Sequence, residues 1–185
     1  MKSRVAGVAN GEAFSRAVAR YLFKLMAYKD EYEVARLYAD GDFKKKVAAE
    51  FSGDYRLKFH MAPPVFNRSV DELGRPLKSD FGPWMYGALA VLKNFRFLRG
   101  TAFDPFGASE ERRLERRLIA DYRSRIDDIS SRLNAANIAV ATEIASLPDD
   151  IRGYGPVKLA AIEKAEQRFS SLMKAFNEGR AEIAA

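Results

Sequence analysis

Ser109-Glu-Glu-Arg-Arg-Leu-Glu-Arg-Arg-Leu-Ile-Ala-Asp-Tyr-Arg-Ser-Arg-Ile-Asp-Asp-Ile-Ser-Ser-Arg-Leu133 is the stretch that decides the fold class. Leu114, Leu118, Tyr122, Ile126, Ile129 and Leu133 recur at spacings of three and four, so they line one face of a long helix. Ser109 can cap its start, and Glu110 and Glu111 sit well against the positive end of its dipole. A stripe of this length on an otherwise charged helix must be covered by other helices. Downstream, Asn134 can cap a helix that ends at Leu147-Pro148, and Arg152-Gly-Tyr-Gly-Pro156 is a short link. In the last helix Ile162, Ala165, Phe169, Leu172 and Phe176 repeat at three and four, a seam typical of antiparallel helix pairs. The expected class is mainly α, with the last three helices as a bundle and a minor β element near residues 55–61.

Upstream of Ser109 stands Leu98-Arg-Gly-Thr-Ala-Phe-Asp-Pro-Phe-Gly107. Two glycines, a proline, an aspartate and two phenylalanines in ten positions make a shaped loop, with Asp104-Pro105 and Gly107 as a turn feeding the Ser109 cap. The G-x-x-x-x-G-K-S/T pattern is missing, which argues against a phosphate cradle. Trp84 to Phe97 reads as a helix with Trp84, Ala88, Val91, Leu92 and Phe95 on one side, and Trp84 as a core anchor. Residues 67–83 read as a loop.

Further upstream, Tyr55, Leu57, Phe59 and Met61 alternate with Arg56, Lys58 and His60, the period of a half-buried strand ended by Pro63-Pro64. A lone strand is unstable, so it needs a partner. Phe95 to Leu98 is one candidate and another subunit or domain is a second, which leaves a homo-oligomer open. Gly11 to Tyr28 is helical, with Phe14, Val18, Leu22, Leu25 and Met26 on one face. A second helix carries Tyr32, Ala35 and Leu37-Tyr38 and stops near Gly41. Asp42 can cap a third, short one running to Phe51. Residues 1–8 read as a loose start.

The chain has 185 residues, and 48% of them are apolar, enough for a real core. It has no cysteine, which excludes disulfides, thiolate nucleophiles, thiolate zinc sites and iron–sulfur ligation. One histidine excludes a cluster of histidines within one chain. No apolar run approaches the ~20 residues of a membrane span, and no membrane partner is expected. Cysteine-free composition is compatible with a reducing cytoplasm, the expected location. The net charge of +6 suggests acidic partners, although basic and acidic residues are mostly interleaved.

Few residues carry chemistry. His60 stands on the polar face of its strand between cationic positions, which disfavour imidazolium; a base and an ordinary surface or interface histidine are the two readings. Arg112, Arg113, Arg116 and Arg117 form like-charge pairs at i,i+4, costing about 0.2–0.5 kcal/mol each in an isolated helix. Either nearby acids offset that cost on a solvated face, or the stripe docks an acidic partner. Exposed aromatics are not interleaved with these arginines, and no nucleic-acid-binding signature is present, so nucleic acid is not the expected partner. Asp30, Glu31 and Glu33 do not all face one way on a helix, which argues against a metal site.

Six runs together carry a resemblance. They are Lys24-Leu-Met-Ala-Tyr-Lys-Asp-Glu-Tyr-Glu-Val-Ala-Arg-Leu-Tyr38, Leu57-Lys-Phe-His-Met-Ala-Pro-Pro64, Phe81-Gly-Pro-Trp-Met85, Leu98 to Gly107, Glu110-Glu-Arg-Arg-Leu-Glu-Arg-Arg117 and Ile151-Arg-Gly-Tyr-Gly-Pro-Val-Lys158. In this order and spacing the chain resembles the C-terminal domain of the large fused bacterial indolepyruvate ferredoxin oxidoreductases, over roughly residues 17–176. That family oxidatively decarboxylates arylpyruvates to acyl-CoA, using thiamine diphosphate, and iron–sulfur clusters that pass electrons to ferredoxin. The resembled domain lies after the catalytic ones and has no assigned catalytic role.

The resemblance therefore implies an accessory, non-catalytic domain. Its partners would be the parent enzyme's catalytic domains, with ferredoxin as a further one, and it would hold no cofactor itself. It also implies an excised domain, a split-gene product or a truncated reading frame, because the chain has no thiamine-diphosphate motif and no upstream catalytic domains. The expected organisation is an N-terminal segment of separate origin over 1–16, a single helical domain over 17–176 and a tail over 177–185. No catalytic, cofactor-binding or metal residue is assigned. The candidate partner-binding residues are Arg112, Arg113, Arg116, Arg117 and His60. The alternative function is a freestanding interaction module that docks an acidic protein through the basic stripe.

Overall fold

A computed structural model describes residues 11–62, 71–72 and 77–179. The start at 1–8 and the Pro63-Pro64 stop lie outside the described residues. The architecture is mainly α, with one small sheet. Where a single domain over 17–176 is expected, the chain divides into two compact units: Met1–Tyr28 with Leu114–Ala185, and Lys29–Arg113. The division falls within one long helix.

In the first unit, helix α1 spans Gly11–Met26. Most of α5 (Glu110–Ser131), all of α6 (Ile138–Ser146) and all of α7 (Gly155–Asn177) belong to the same unit. The expected stripes meet in one core: Phe14, Val18 and Leu25 of α1, Tyr122, Ile126 and Ile129 of α5, and Leu172 and Phe176 of α7. The bundle takes in α1 as well as the last three helices. Ala141 and Ala145 of α6 are fully buried, and small side chains at a crossing let helix axes approach closely.

Several polar groups in this unit find partners, although the buried Ser130 hydroxyl has none among the described residues. The Tyr122 hydroxyl donates to the Ala145 carbonyl at 2.8 Å. Arg125 grips Glu166 with two bonds of 2.9 and 2.7 Å while lying 4.0 Å from the Phe169 ring centroid. Lys158 pairs with Glu115, both nearly buried. The Lys24 ammonium donates to the carbonyls of Pro148, Asp149 and Ile151 at 2.5, 3.1 and 3.3 Å, closing the short 3-10 helix Leu147–Asp150. At the head of α7, Gly153 takes a φ of 93°, open to glycine. A Cβ there would lie 2.7 Å from Val157 Cγ1.

The second unit holds α2 (Glu31–Ala39), α3 (Asp42–Glu50), β1 (Phe59–Met61), β2 (Ser79–Phe81), α4 (Trp84–Leu92) and a 3-10 helix over Lys93–Leu98. Its core is Ala35, Ala39, Phe59, Met85 and Leu89. Four expectations are corrected here. The strand covers three residues rather than seven, because only Phe59–Met61 find ladder partners. Those partners are Ser79–Phe81, antiparallel and pairing Phe59 with Phe81, within the stretch read as loop; Phe95 to Leu98 are helical instead. Asp42 is the first helical residue, and Gly41 takes the cap position with no side-chain bond.

The fourth correction concerns the face of α4. Of the expected row, Trp84, Ala88, Val91 and Phe95 face out, whereas Leu92 packs against the core with the Met85–Leu89 row. Trp84 is 59% exposed and is no core anchor; its ring meets Phe81 edge-on at 5.9 Å. The helix is apolar on both sides, so periodicity cannot choose between them.

Candidate functional site

The Lys29–Glu33 segment gathers the second unit's polar groups. Asp30 caps α2: its Oδ1 accepts the Glu33 amide at 2.8 Å. Its carboxylate is 3% exposed and is gripped by Arg99, with Nε 2.5 Å from Oδ2 and Nη2 2.8 Å from Oδ1. Such a two-point bond is the strong form of an ion pair. Glu31 faces Arg112, whose Nε and Nη2 lie 3.4 and 3.3 Å from the carboxylate. Arg112 Nη2 also reaches the Lys29 carbonyl at 3.5 Å. Glu33 takes Arg36 at 3.0 and 2.7 Å. Each acid has its own cation. Among the described residues no group of three or more acids or histidines is placed to hold a metal ion.

Tyr32 connects this segment to the Leu98–Gly107 loop. Its hydroxyl donates to Asp104 Oδ1 at 3.2 Å, and its ring meets Phe106 edge-on at 5.3 Å. Asp104 organises the loop from inside. Its Oδ2 accepts the Gly100 amide at 2.8 Å and its Oδ1 the Phe106 amide at 3.1 Å. Gly107 closes the turn so tightly that a Cβ there would lie 2.6 Å from Asp104 Oδ2. The Ser109 cap holds as expected, its Oγ accepting the Arg112 amide at 3.3 Å.

The electrostatics are those of a scaffold. Burial opposes charge on Asp104, but the amides of Gly100, Phe106 and Gly107 and the Tyr32 hydroxyl outweigh it and hold the carboxyl below its ordinary range. Burial, and then the facing Asp104 carboxylate, push the Tyr32 phenol up to about 12. Burial works against Arg112 too, but Glu31 keeps its guanidinium above its usual value. Near neutral pH the carboxylate is therefore charged and the phenol neutral, and neither is poised for proton transfer. What the network does is fix a loop, and that loop carries Phe103 outward at 81% exposure.

The expected partner-binding residues are placed differently from one another. Arg112 is 8% exposed and pairs with Glu31. Arg113, Arg116 and Arg117 are exposed. His60 is exposed on β1, its Nδ1 2.5 Å from Oδ1 of Asp80, the residue opposite it in the ladder. Local sequence could not supply that partner, because β2 is legible only once its pairing is known. The Arg99–Asp30 and Tyr32–Asp104 contacts were also beyond sequence reasoning. The only signal for them was the clustering of Asp, Tyr, Arg and Gly in two of the runs that carry the family resemblance.

Residues 2–171 match the model of a family described as a family of unknown function (DUF6537). No curated protein and no solved structure matches the chain. No described helix is long and apolar enough to cross a membrane.

Proposed function

The chain belongs to that family of unknown function, and from that premise we propose that it is an accessory, non-catalytic domain of an indolepyruvate ferredoxin oxidoreductase of the cytoplasm. Its work is to dock the enzyme's catalytic domains through the Leu98–Gly107 loop. One observation carries this reading: the Lys29–Glu33 and Leu98–Gly107 runs, both part of the resemblance, converge on one hydrogen-bonded network that holds Phe103 out into solvent. A rigid loop with an exposed aromatic anchor loses little entropy on binding, which is what a docking element requires. Thiamine diphosphate and the iron–sulfur clusters belong to the other domains of the resembled enzyme. This chain has no cysteine and supplies no thiolate ligand to a cluster.

The test is capture of separately produced catalytic domains of such an oxidoreductase by this chain. Wild-type chain should retain them, and Phe103→Asp should lose them while keeping its helical circular dichroism. Equal retention by Phe103→Asp, or no retention by wild type, overturns the reading. So would viologen reduction by the chain alone when given arylpyruvate, CoA and thiamine diphosphate.

A further inference from the structure

The outward face of α4 is an apolar surface that no described residue covers. Trp84, Val91 and Phe95 follow one another at i, i+7 and i+11 and are 59, 60 and 43% exposed. Phe97, 70% exposed, stacks on Phe95 at 6.1 Å between ring centroids. Gly87 and Ala88, both exposed, form a shallow notch between Trp84 and Val91. No charged residue interrupts the row from Trp84 to Leu92. The opposite row, Met85 and Leu89, is spent on the core. A helix apolar on both faces implies a second packing partner.

We infer that this partner is a second copy of the same chain, packed antiparallel on α4 about a two-fold axis near Gly87–Ala88. The order of residues makes the row self-complementary: a large group, a small notch, then a large group. A two-fold crossing at the notch brings the helix backbones close and seats Trp84 of each copy against Val91 of the other, the isologous arrangement that a symmetric dimer needs. Trp84 is already oriented, edge-on to Phe81 and with Cδ1 3.5 Å from where a Gly82 Cβ would stand, so little freedom is lost when it docks.

The area is adequate. At about 200 Å² per aromatic side chain, the exposed parts of Trp84, Phe95 and Phe97 offer roughly 350 Å² on each copy. Two copies with Val91, Ala88 and the surrounding rim then reach the roughly 1,000 Å² at which an interface becomes specific. The row is uncharged, as the centre of such a patch must be, while Lys93 and Arg96 fall at its polar end. This surface is distinct from Phe103, and the inference stands whether or not the chain serves an oxidoreductase.

Trp84 is the single tryptophan, so the interface carries its own reporter. Sedimentation equilibrium of the full chain at micromolar concentration should give a dimer, and dilution should shift Trp84 emission to the red as the ring returns to water. Val91→Glu places a charge against Trp84 of the other copy, and should raise the dimer dissociation constant by about a hundredfold or more. Val91 is exposed, so folding is unaffected, and unchanged circular dichroism checks this. A monomer at high micromolar concentration overturns the inference, as does a dimer indifferent to Val91→Glu. So does a monomer whose α4 row is protected only when catalytic domains are added.

Discussion

Replacing Asp104 by alanine tests whether one carboxylate organises the Leu98–Gly107 loop. Four donors lose their acceptor, the amides of Gly100, Phe106 and Gly107 and the Tyr32 hydroxyl, and they differ in cost. The Gly100 amide is exposed and turns to water at little expense. The Phe106 amide is partly buried. The Tyr32 hydroxyl belongs to a residue only 2% exposed and is deprived of a charged acceptor, the costly event, at about 1–3 kcal/mol. The variant should therefore destabilise the Lys29–Arg113 unit by about 2–3 kcal/mol.

Trp84, the single tryptophan, lies in that unit, so its fluorescence in urea, followed at a concentration below the dimer dissociation constant, reads this unit alone. With a slope of about 1–3 kcal/mol/M, the midpoint should fall by roughly 1–2 M at unchanged slope. Amide exchange at Gly100 and Phe106 should quicken more than exchange in the Phe59–Phe81 ladder. Asp104→Asn keeps one acceptor oxygen and should cost about half as much. A cycle with Tyr32→Phe should return a coupling of about 1 kcal/mol. A change below about 0.5 kcal/mol for Asp104→Ala, or an asparagine variant as damaged as the alanine one, would refute the reasoning.

Arg112→Ala should destabilise the same unit by about 2 kcal/mol by stranding Glu31 and the Lys29 carbonyl, whereas Arg113→Ala should stay within about 0.5 kcal/mol; equal urea midpoints would place both on the surface. Acid should loosen this unit. Asp104 and Asp40 are held below the ordinary 3.8, and Glu33 below 4.5, so their contribution is complete above those values and is lost as pH falls through the depressed ones, readable as a falling Trp84 urea midpoint from about pH 4.5 downward. Tyr32 acts oppositely: its raised value means stability is intact below pH 10.0 and declines as pH rises toward about 12, which Tyr32→Phe should abolish. In the other unit, Gly153→Ala should lower the thermal midpoint by several degrees, because the residue has φ 93° and its Cβ would lie 2.7 Å from Val157 Cγ1.

Legibility followed the physics of each element. The stripes of α1, α5 and α7 were legible because each of these helices is apolar on one face and polar on the other, so period alone tells inside from outside. The Ser109 cap was legible because it spans three residues. The α4 face was not, because Trp84–Val91 and Met85–Leu89 are both apolar rows and only the positions of Ala35, Ala39 and Phe59 choose between them. The strand was over-read because alternation records where side chains can point, whereas a ladder exists only where another strand supplies partners. The site was half legible. Two of its runs stood out by composition, but the bonds that join them span about 70 to 80 residues.

By itself, then, the sequence determined the helical class, the buried stripes, the cap at Ser109 and the absence of thiolate chemistry. These depend on neighbours within a turn or on residue types alone. Tertiary structure decided the division into two units, the place of α1 in the bundle, the pairing of His60 with Asp80 and of Arg112 with Glu31, and the outward face of α4. Each of these is a choice between locally equivalent options. Such a choice is made by which distant group arrives to satisfy a charge, a ladder or an apolar face.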